Sequence, residues 1–374
     1  MKKSSSICLA VILALTLLED SVRTATRFPS YSITDLGTLG GTESFAYAIN
    51  DRGDIVGSSR LAGNTVTHGF LFGYGRMIDL NPLNSGEIQT VGPADINNHG
   101  AVASGFMRDG IYSAAIFDIR SGEITALGSL GGLAFGSFNG TATSVNDSGE
   151  VVGYSYVDDL NRHAFLFKNG LMRDLGSLGG YSAALSINNA GDVVGFSSES
   201  VYGAAHPILY RNGKMSAINP FGDPSNEGIA WKLNNRGMVV GEALNGSSTN
   251  GFIYFKGAVT NIGTFTGGRN SFAYSINTPG QVVGVADVPF EDDCYDFETQ
   301  QTVRCTNYEF QGFLYERGVM LDLRSLVGSN SGWDVLWPFD INDRGQIVGY
   351  GLRAGEFRAF LMTPTDENHS TQVR

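Results

Sequence analysis

Basic side chains are few and scattered in this chain. Lys and Arg total 25 against 37 Asp and Glu, a formal charge of −12 over 374 residues, and no basic run or stripe occurs. A sequence-independent nucleic-acid surface needs clustered Lys and Arg, so the composition argues against that partner class. Cysteine is almost absent, with three residues, and none forms C-x-x-C. The strings H-E-x-x-H and G-x-S-x-G are missing as well, which removes the commonest zinc-hydrolase and nucleophile-elbow readings. "GYGLRA" from Gly349 satisfies G-x-G-x-x-A in form only. It leaves a strand for a loop, whereas a dinucleotide fingerprint opens a helix in a βαβ unit. Long apolar runs are lacking too. The run from Ile7 to Leu18 is too short to span a bilayer, which takes ~20 helical residues.

That run follows Lys2 and Lys3, the arrangement of a secretory leader. Residues 1–26 are read as a signal peptide, with cleavage near Thr24, Ala25 and Thr26, although no A-x-A string marks the site. Cys8 has no lipobox before it. The mature chain is expected to be secreted or periplasmic, acidic, monomeric and without membrane insertion. Residues 27–364 then form the folded domain and 365–374 a flexible tail. In an oxidising compartment the two remaining cysteines, Cys294 and Cys305, read as one disulfide.

Glycine is what the chain has in excess: 50 of 374 residues, against a usual ~7%. Much of it is periodic. "AINDRGDIVGSS" from Ala48, "SVNDSGEVVGYS" from Ser144, "SINNAGDVVGFS" from Ser186 and "DINDRGQIVGYG" from Asp340 repeat one turn. Its asparagine is Asn50, Asn97, Asn146, Asn188, Asn234, Asn277 or Asn342, and three residues later stands Gly53, Gly100, Gly149, Gly191, Gly237, Gly280 or Gly345. An asparagine can bond its own backbone to start a turn, and glycine then takes the left-handed position without steric cost. The position before the Asn is apolar throughout, and position −4 is always Ala or Pro, which suits an innermost strand crowded near an axis. The spacing averages about 49 residues, the length of a four-stranded propeller blade.

Each unit continues with an aromatic strand, a glycine turn and a strand ending in Asp-Leu or similar, as in "HAFLFKNGLMRDLGSLGG" from His163. The chain opens on a lone fourth strand, "YSITDLG" from Tyr31, and ends on a third, "FRAFLMTP" from Phe357. Pairing them closes the ring. The fold is therefore expected to be all-β: a seven-bladed β-propeller of four-stranded blades, sealed by the N-terminal strand joining the C-terminal blade.

The "HAF" of His163–Phe165, the "LGSLGG" of Leu175–Gly180 and the "INNAGDVVG" of Ile187–Gly195 resemble the bacterial extracellular HAF-repeat family. The resemblance extends from about Tyr31 to Pro364. It implies export and a propeller-like fold, and carries no catalytic residues. The second unit, "NNHGAVASG" from Asn97, reads as holding one extra residue, and the sixth carries an insertion over residues 285–311.

Function is expected on one face. The Asn-Gly turns and the turns between third and fourth strands are short and uniform, so they read as scaffold. Asn50, Gly53, Asn188 and Gly191 belong to that scaffold, and a calcium loop there lacks ligands. His68, His163 and His206 share one repeat position with Ser113, Asn250, Gln311 and Arg358, which reads as a tie within each blade. The other loops vary in length and form the expected binding surface. Candidate ligand-binding residues are Trp333 as a stacking platform, Tyr202, His206, and Asp292 in the acidic insertion, where a calcium ion is the one cofactor considered. Trp337 aligns with Phe45 and Phe272 and reads as core. The leading function is an exported binding or structural module for a cell-envelope protein or an extracellular glycan. A carbohydrate-active lyase or hydrolase using the same face is the alternative.

Overall fold

A computed structural model of the chain describes residues 28–81, 89–134, 136–223, 225, 227–296 and 300–365. Residues 1–26, read as a signal peptide, and nearly all of the segment read as a C-terminal tail lie outside them. The described strands form seven four-stranded antiparallel sheets, six of them with their strands in sequence order from the inside out. We letter these strands a to d in each blade. Blade 1, for example, holds Gly40–Ile49, Ile55–Leu61, Thr67–Gly73 and Arg76–Asp79. In blade 7, Trp333–Ile341, Ile347–Arg353 and Glu356–Pro364 supply a, b and c, and Tyr31–Asp35 supplies d. The register Tyr31↔Pro364 to Asp35↔Phe360 joins the two ends of the chain, so the ring is closed as expected.

Burial explains why the blades need one another. Each core cluster draws on two neighbouring sheets: Ala46, Ile49, Ile55 and Phe70 of blade 1 pack with Val348 and Ala359 of blade 7. Position −4 stays small because it is wedged at that seam. Ala46, Ala142, Ala184, Ala230 and Ala273 are all buried.

The glycine seven residues after the turn asparagine has a second reason to be there. A Cβ built on Gly57 would lie 2.0 Å from the Phe45 carbonyl oxygen and 2.7 Å from the ring of Phe70, its partner on strand c. Phe70 is the aromatic of that blade's "HGF", and Phe165, Phe252, Phe313 and Phe360 repeat it, all fully buried. Blade 2 departs in a compensated way. Ser104 stands at the glycine position and its partner on strand c is Ala115. A larger residue on one strand is met by a smaller one on the other, so the second unit holds no extra residue after its turn. Its irregularity lies in strand a, where the register shifts between Val91 and Asp95.

The turn glycines take the left-handed conformation expected of them. Their φ values are 90° at Gly53, 88° at Gly100, 74° at Gly149, 80° at Gly191, 78° at Gly237, 98° at Gly280 and 72° at Gly345.

Candidate functional site

The turn asparagine does more than shape its own turn. In blade 4 the Asn188 Oδ1 accepts the N–H groups of Ala190 and Asp192, both at 3.0 Å, as a turn cap should. Its Nδ2 donates to the Asn234 carbonyl of the next blade at 3.2 Å. The same donation runs Asn50 to Asn97, Asn97 to Asn146, Asn146 to Asn188, Asn234 to Asn277, Asn277 to Asn342 and Asn342 back to Asn50. Seven amides thus close a ring of hydrogen bonds, one per blade seam. One position later a second set of links runs outside the first, as where Asp51 N donates to Asn98 Oδ1 and Asp343 N to Asp51 Oδ1. The identity of the residue at seven places was visible in the sequence; its use between blades was not.

A bulge shapes the axis. In six blades strand a shifts register between positions −4 and −2, leaving the −3 residue unpaired. Such an extra residue kinks the strand and re-aims its neighbours. At position −2, Lys232 of blade 5 reaches Asp340 of blade 7 at 3.4 Å and Asp95 of blade 2 at 3.7 Å. Blades 5, 7 and 2 do not adjoin, so this cluster crosses the axis. Ser144 Oγ donates to Asp95 and Ser275 Oγ to Asp340, each at 2.6 Å, which extends the same layer around the ring. Burial works against the charge on Lys232, but Asp340 and Asp95 outweigh it and hold the ammonium protonated well above its ordinary range. Burial raises Asp340 above the usual carboxylate range despite Lys232. Between this plug and the asparagine ring lies a polar recess of about 130 Å³.

Position −3 is aromatic on one side only. Tyr47, Phe339, Tyr274 and Trp231, from blades 1, 7, 6 and 5, stand with successive ring centroids 5.9, 6.3 and 6.2 Å apart. The corresponding residues of blades 2, 3 and 4 are Ala94, Thr143 and Leu185. In blade 5 the Trp231 indole N–H donates to the Glu242 carboxyl of strand b. Glu242 is 7% exposed. Burial lifts its pKa to about 8, against the indole hydrogen bond, which favours the charged form. Sequence reading passed over Glu242. Its signal was a single acid at a position filled by Ser58, Tyr154, Phe196, Val285 and Tyr350 in other blades.

The loop face carries the residues chosen from sequence, and the structure scatters them. Trp333 is 8% exposed, packed edge-on against Phe360 with Arg353 above it. Its ring is therefore core and presents no open platform. Strand a of blade 7 has a further register shift between Trp333 and Val335, which takes Trp333 out of the repeat's phase. Trp337, read as core, is instead partly exposed and stacks on Tyr350. Tyr202 is 95% exposed in the b–c loop of blade 4. His206 opens strand c of that blade (His206–Arg211), at the position where His68 and His163 bond Asp79 and Asp174 of strand d.

The insertion is a two-stranded finger. Strands Val282–Asp296 and Gln301–Glu316 stay paired for ten residues beyond the blade, from Asp287↔Phe310 to Asp296↔Gln301. Cys294 and Cys305 are disulfide-bonded near its tip, as expected. Asp287 turns inward and accepts Arg269 N and Asn270 N at 2.6 and 2.8 Å, anchoring the base. Asp292 is exposed near the tip, and Arg304 pairs with Asp293 at 3.1 Å. Among the described residues, no three potential metal ligands are brought together.

Residues 174–335 match the family described as "Protein of unknown function (DUF3466)". No curated protein matches the chain. Solved structures similar to the chain include one described as a β-propeller. The β-propeller domain of the Trilobed protease from Pyrococcus furiosus, described as having an open velcro topology, matches at 11% identity and a TM-score of 0.51, over 93% of this chain and 99% of that one. The present ring differs in being latched by its N-terminal strand. The extracellular domain of a hybrid two component system from B. thetaiotaomicron matches at 12% identity and a TM-score of 0.51, over 89% of this chain and 40% of that one. A puromycin-hydrolyzing peptidase from Mycobacterium tuberculosis matches at 10% and 0.52, over 91% and 54%. At these identities the likeness is one of fold. Among the described residues no helix is long and apolar enough to cross a membrane.

Proposed function

We propose that the chain is an exported binding propeller whose d–a and b–c loop face docks a protein of the cell envelope. The observation that carries this reading is the disulfide-tied finger rising from a face otherwise made of unequal loops, opposite a face locked by hydrogen-bond rings. Ten residue pairs extend about 30 Å. A two-stranded ribbon offers free backbone edges to a partner strand, the geometry of β-augmentation. Phe290, Val303 and Phe310 are exposed along it. Residues 285–311 hold seven acidic side chains and one basic, so the partner surface should be basic. A leader, a disulfide and a similar solved structure that is itself an extracellular domain all favour export.

The test replaces residues 288–309 with a two-residue turn and compares binding to purified envelope proteins and to extracellular glycans. Loss of protein binding with unchanged melting supports the reading. Binding that survives the deletion, or that maps to the Asn50–Gly53 side, refutes it. The alternative is a carbohydrate-active lyase or hydrolase. It draws on blades 4 and 5, where Gly228 N donates to Ala205 O and so brings Glu227 and His206 into neighbouring segments. Polysaccharide turnover lost on changing Glu227 or His206 would establish that reading instead.

A further inference from the structure

The aromatic arc on the axis stands apart from the loops and from the finger. Its rings come from innermost strands, at a bulged position, and remain partly exposed rather than sealed between blades. In the other three blades the same position holds Ala94, Thr143 and Leu185, so the aromatic residues are confined to one side of the axis. Glu242 lies at the Trp231 end of that wall. Lys232, on the same strand as Trp231, is committed to Asp95 and Asp340 and is not its counter-ion. Aromatic faces beside an uncompensated carboxyl form the recognition chemistry of an organic ammonium ion: ring quadrupoles attract the cation, and the carboxylate supplies the opposite charge.

We propose that the axial wall formed by Tyr47, Phe339, Tyr274 and Trp231, with Glu242, binds a small alkylammonium cation. The inference does not rest on the docking role of the finger. Binding converts Glu242 to its ionised form, with the proton released to solvent. The groups that face Glu242 are Trp231 and Ile229 from strand a, Gly251 from strand c and Tyr274 from the next blade. Tyr274 is the titratable one, and burial together with Glu242 pushes its phenol up to about 12, so it stays neutral throughout the range used. The carboxyl must lose its proton below about pH 8 for the cation to bind. Affinity should therefore fall about tenfold for each pH unit below that point and level off above it.

The probe is choline, titrated into the full chain at constant ionic strength and followed by calorimetry and tryptophan fluorescence at pH 6, 7 and 9. Its uncharged isostere 3,3-dimethylbutan-1-ol is run in parallel. Saturable choline binding, about tenfold tighter at pH 9 than at pH 7, with little binding of the isostere, is the expected result. Glu242→Gln should weaken choline at pH 9 and flatten the pH profile. Trp231→Phe should weaken it at every pH while circular dichroism and melting remain those of a folded ring. Equal binding of the isostere, no binding at pH 9, or an unchanged profile in Glu242→Gln would each overturn the proposal.

Discussion

Replacing Asn188 separates the two tasks the turn asparagine performs. Asn188→Asp keeps an oxygen to cap Ala190 and Asp192 but loses the donor to the Asn234 carbonyl. Asn188→Ala loses both. The residue is 4% exposed, so the abandoned groups are largely desolvated. Each buried group left without a partner costs ~1–3 kcal/mol. The alanine variant orphans two N–H groups and removes one of the two donors to the Asn234 carbonyl, which keeps Gly237 N at 2.9 Å, and water in the adjoining recess relieves part of the loss. About 2–4 kcal/mol is expected for Asn188→Ala, and about 1–3 kcal/mol for Asn188→Asp at neutral pH. The aspartate also carries a signature that alanine lacks. Once protonated, its O–H can donate to the Asn234 carbonyl, so its folded pKa is raised and its penalty is relieved as pH falls through that pKa. Melting curves of the wild type and both variants from pH 4 to 8 read this directly. An aspartate variant as stable as wild type at pH 7, or one whose deficit does not shrink at acidic pH, would refute an inter-blade role for the amide.

Three further outcomes are expected. Glu242 binds its proton more tightly in the folded chain, so stability declines as pH rises from its ordinary value of 4.5 towards about 8. Glu242→Gln should then gain on the order of 3 kcal/mol at pH 7 and little at pH 4, and a gain independent of pH in urea titrations would contradict this. Gly191 and Gly195 sit in one hairpin but should differ sharply. An added Cβ at Gly191 meets only Glu150 at 3.7 Å, and at φ 80° the strain should cost about 1 kcal/mol. At Gly195 the Cβ would lie 2.0 Å from the Ala183 carbonyl oxygen, so Gly195→Ala should abolish soluble expression, and a normal yield would show that the hairpin can yield. Converting Cys294 and Cys305 to serine should speed hydrogen exchange in the finger and leave the melting of the ring unchanged; a large drop in melting temperature would mean the finger supports the blades.

The ring was legible in the sequence because its instructions are local and repeated. A turn asparagine, a left-handed glycine and a small residue at −4 each act within one hairpin or against one seam, so seven copies made seven blades. The orphan strand from Tyr31 pointed to the closure. The axis was not legible, because its partners are set by the angle between blades. Lys232 meets Asp340 and Asp95 across the centre of the ring, and nothing in the chain between these residues marks them as touching. The −3 bulge was hidden for a related reason, since it is a property of pairing between strands a and b and leaves no change in spacing within strand a. Trp333 was misplaced because a second register shift at the start of its strand removes it from the phase that the other blades share.

Closure by Tyr31–Asp35 also governs how such a chain can change in size. Both ends of the folded ring are locked in a single blade, with the first strand paired to the last. A unit added after Pro364 would have no seam to enter, and one added before Tyr31 would meet the same barrier. A ring of different size can arise only by inserting or removing a whole unit within the chain, between one outer strand and the next inner one. Each such event must also supply a turn asparagine in phase, because the circle of amides has no free end at which to stop.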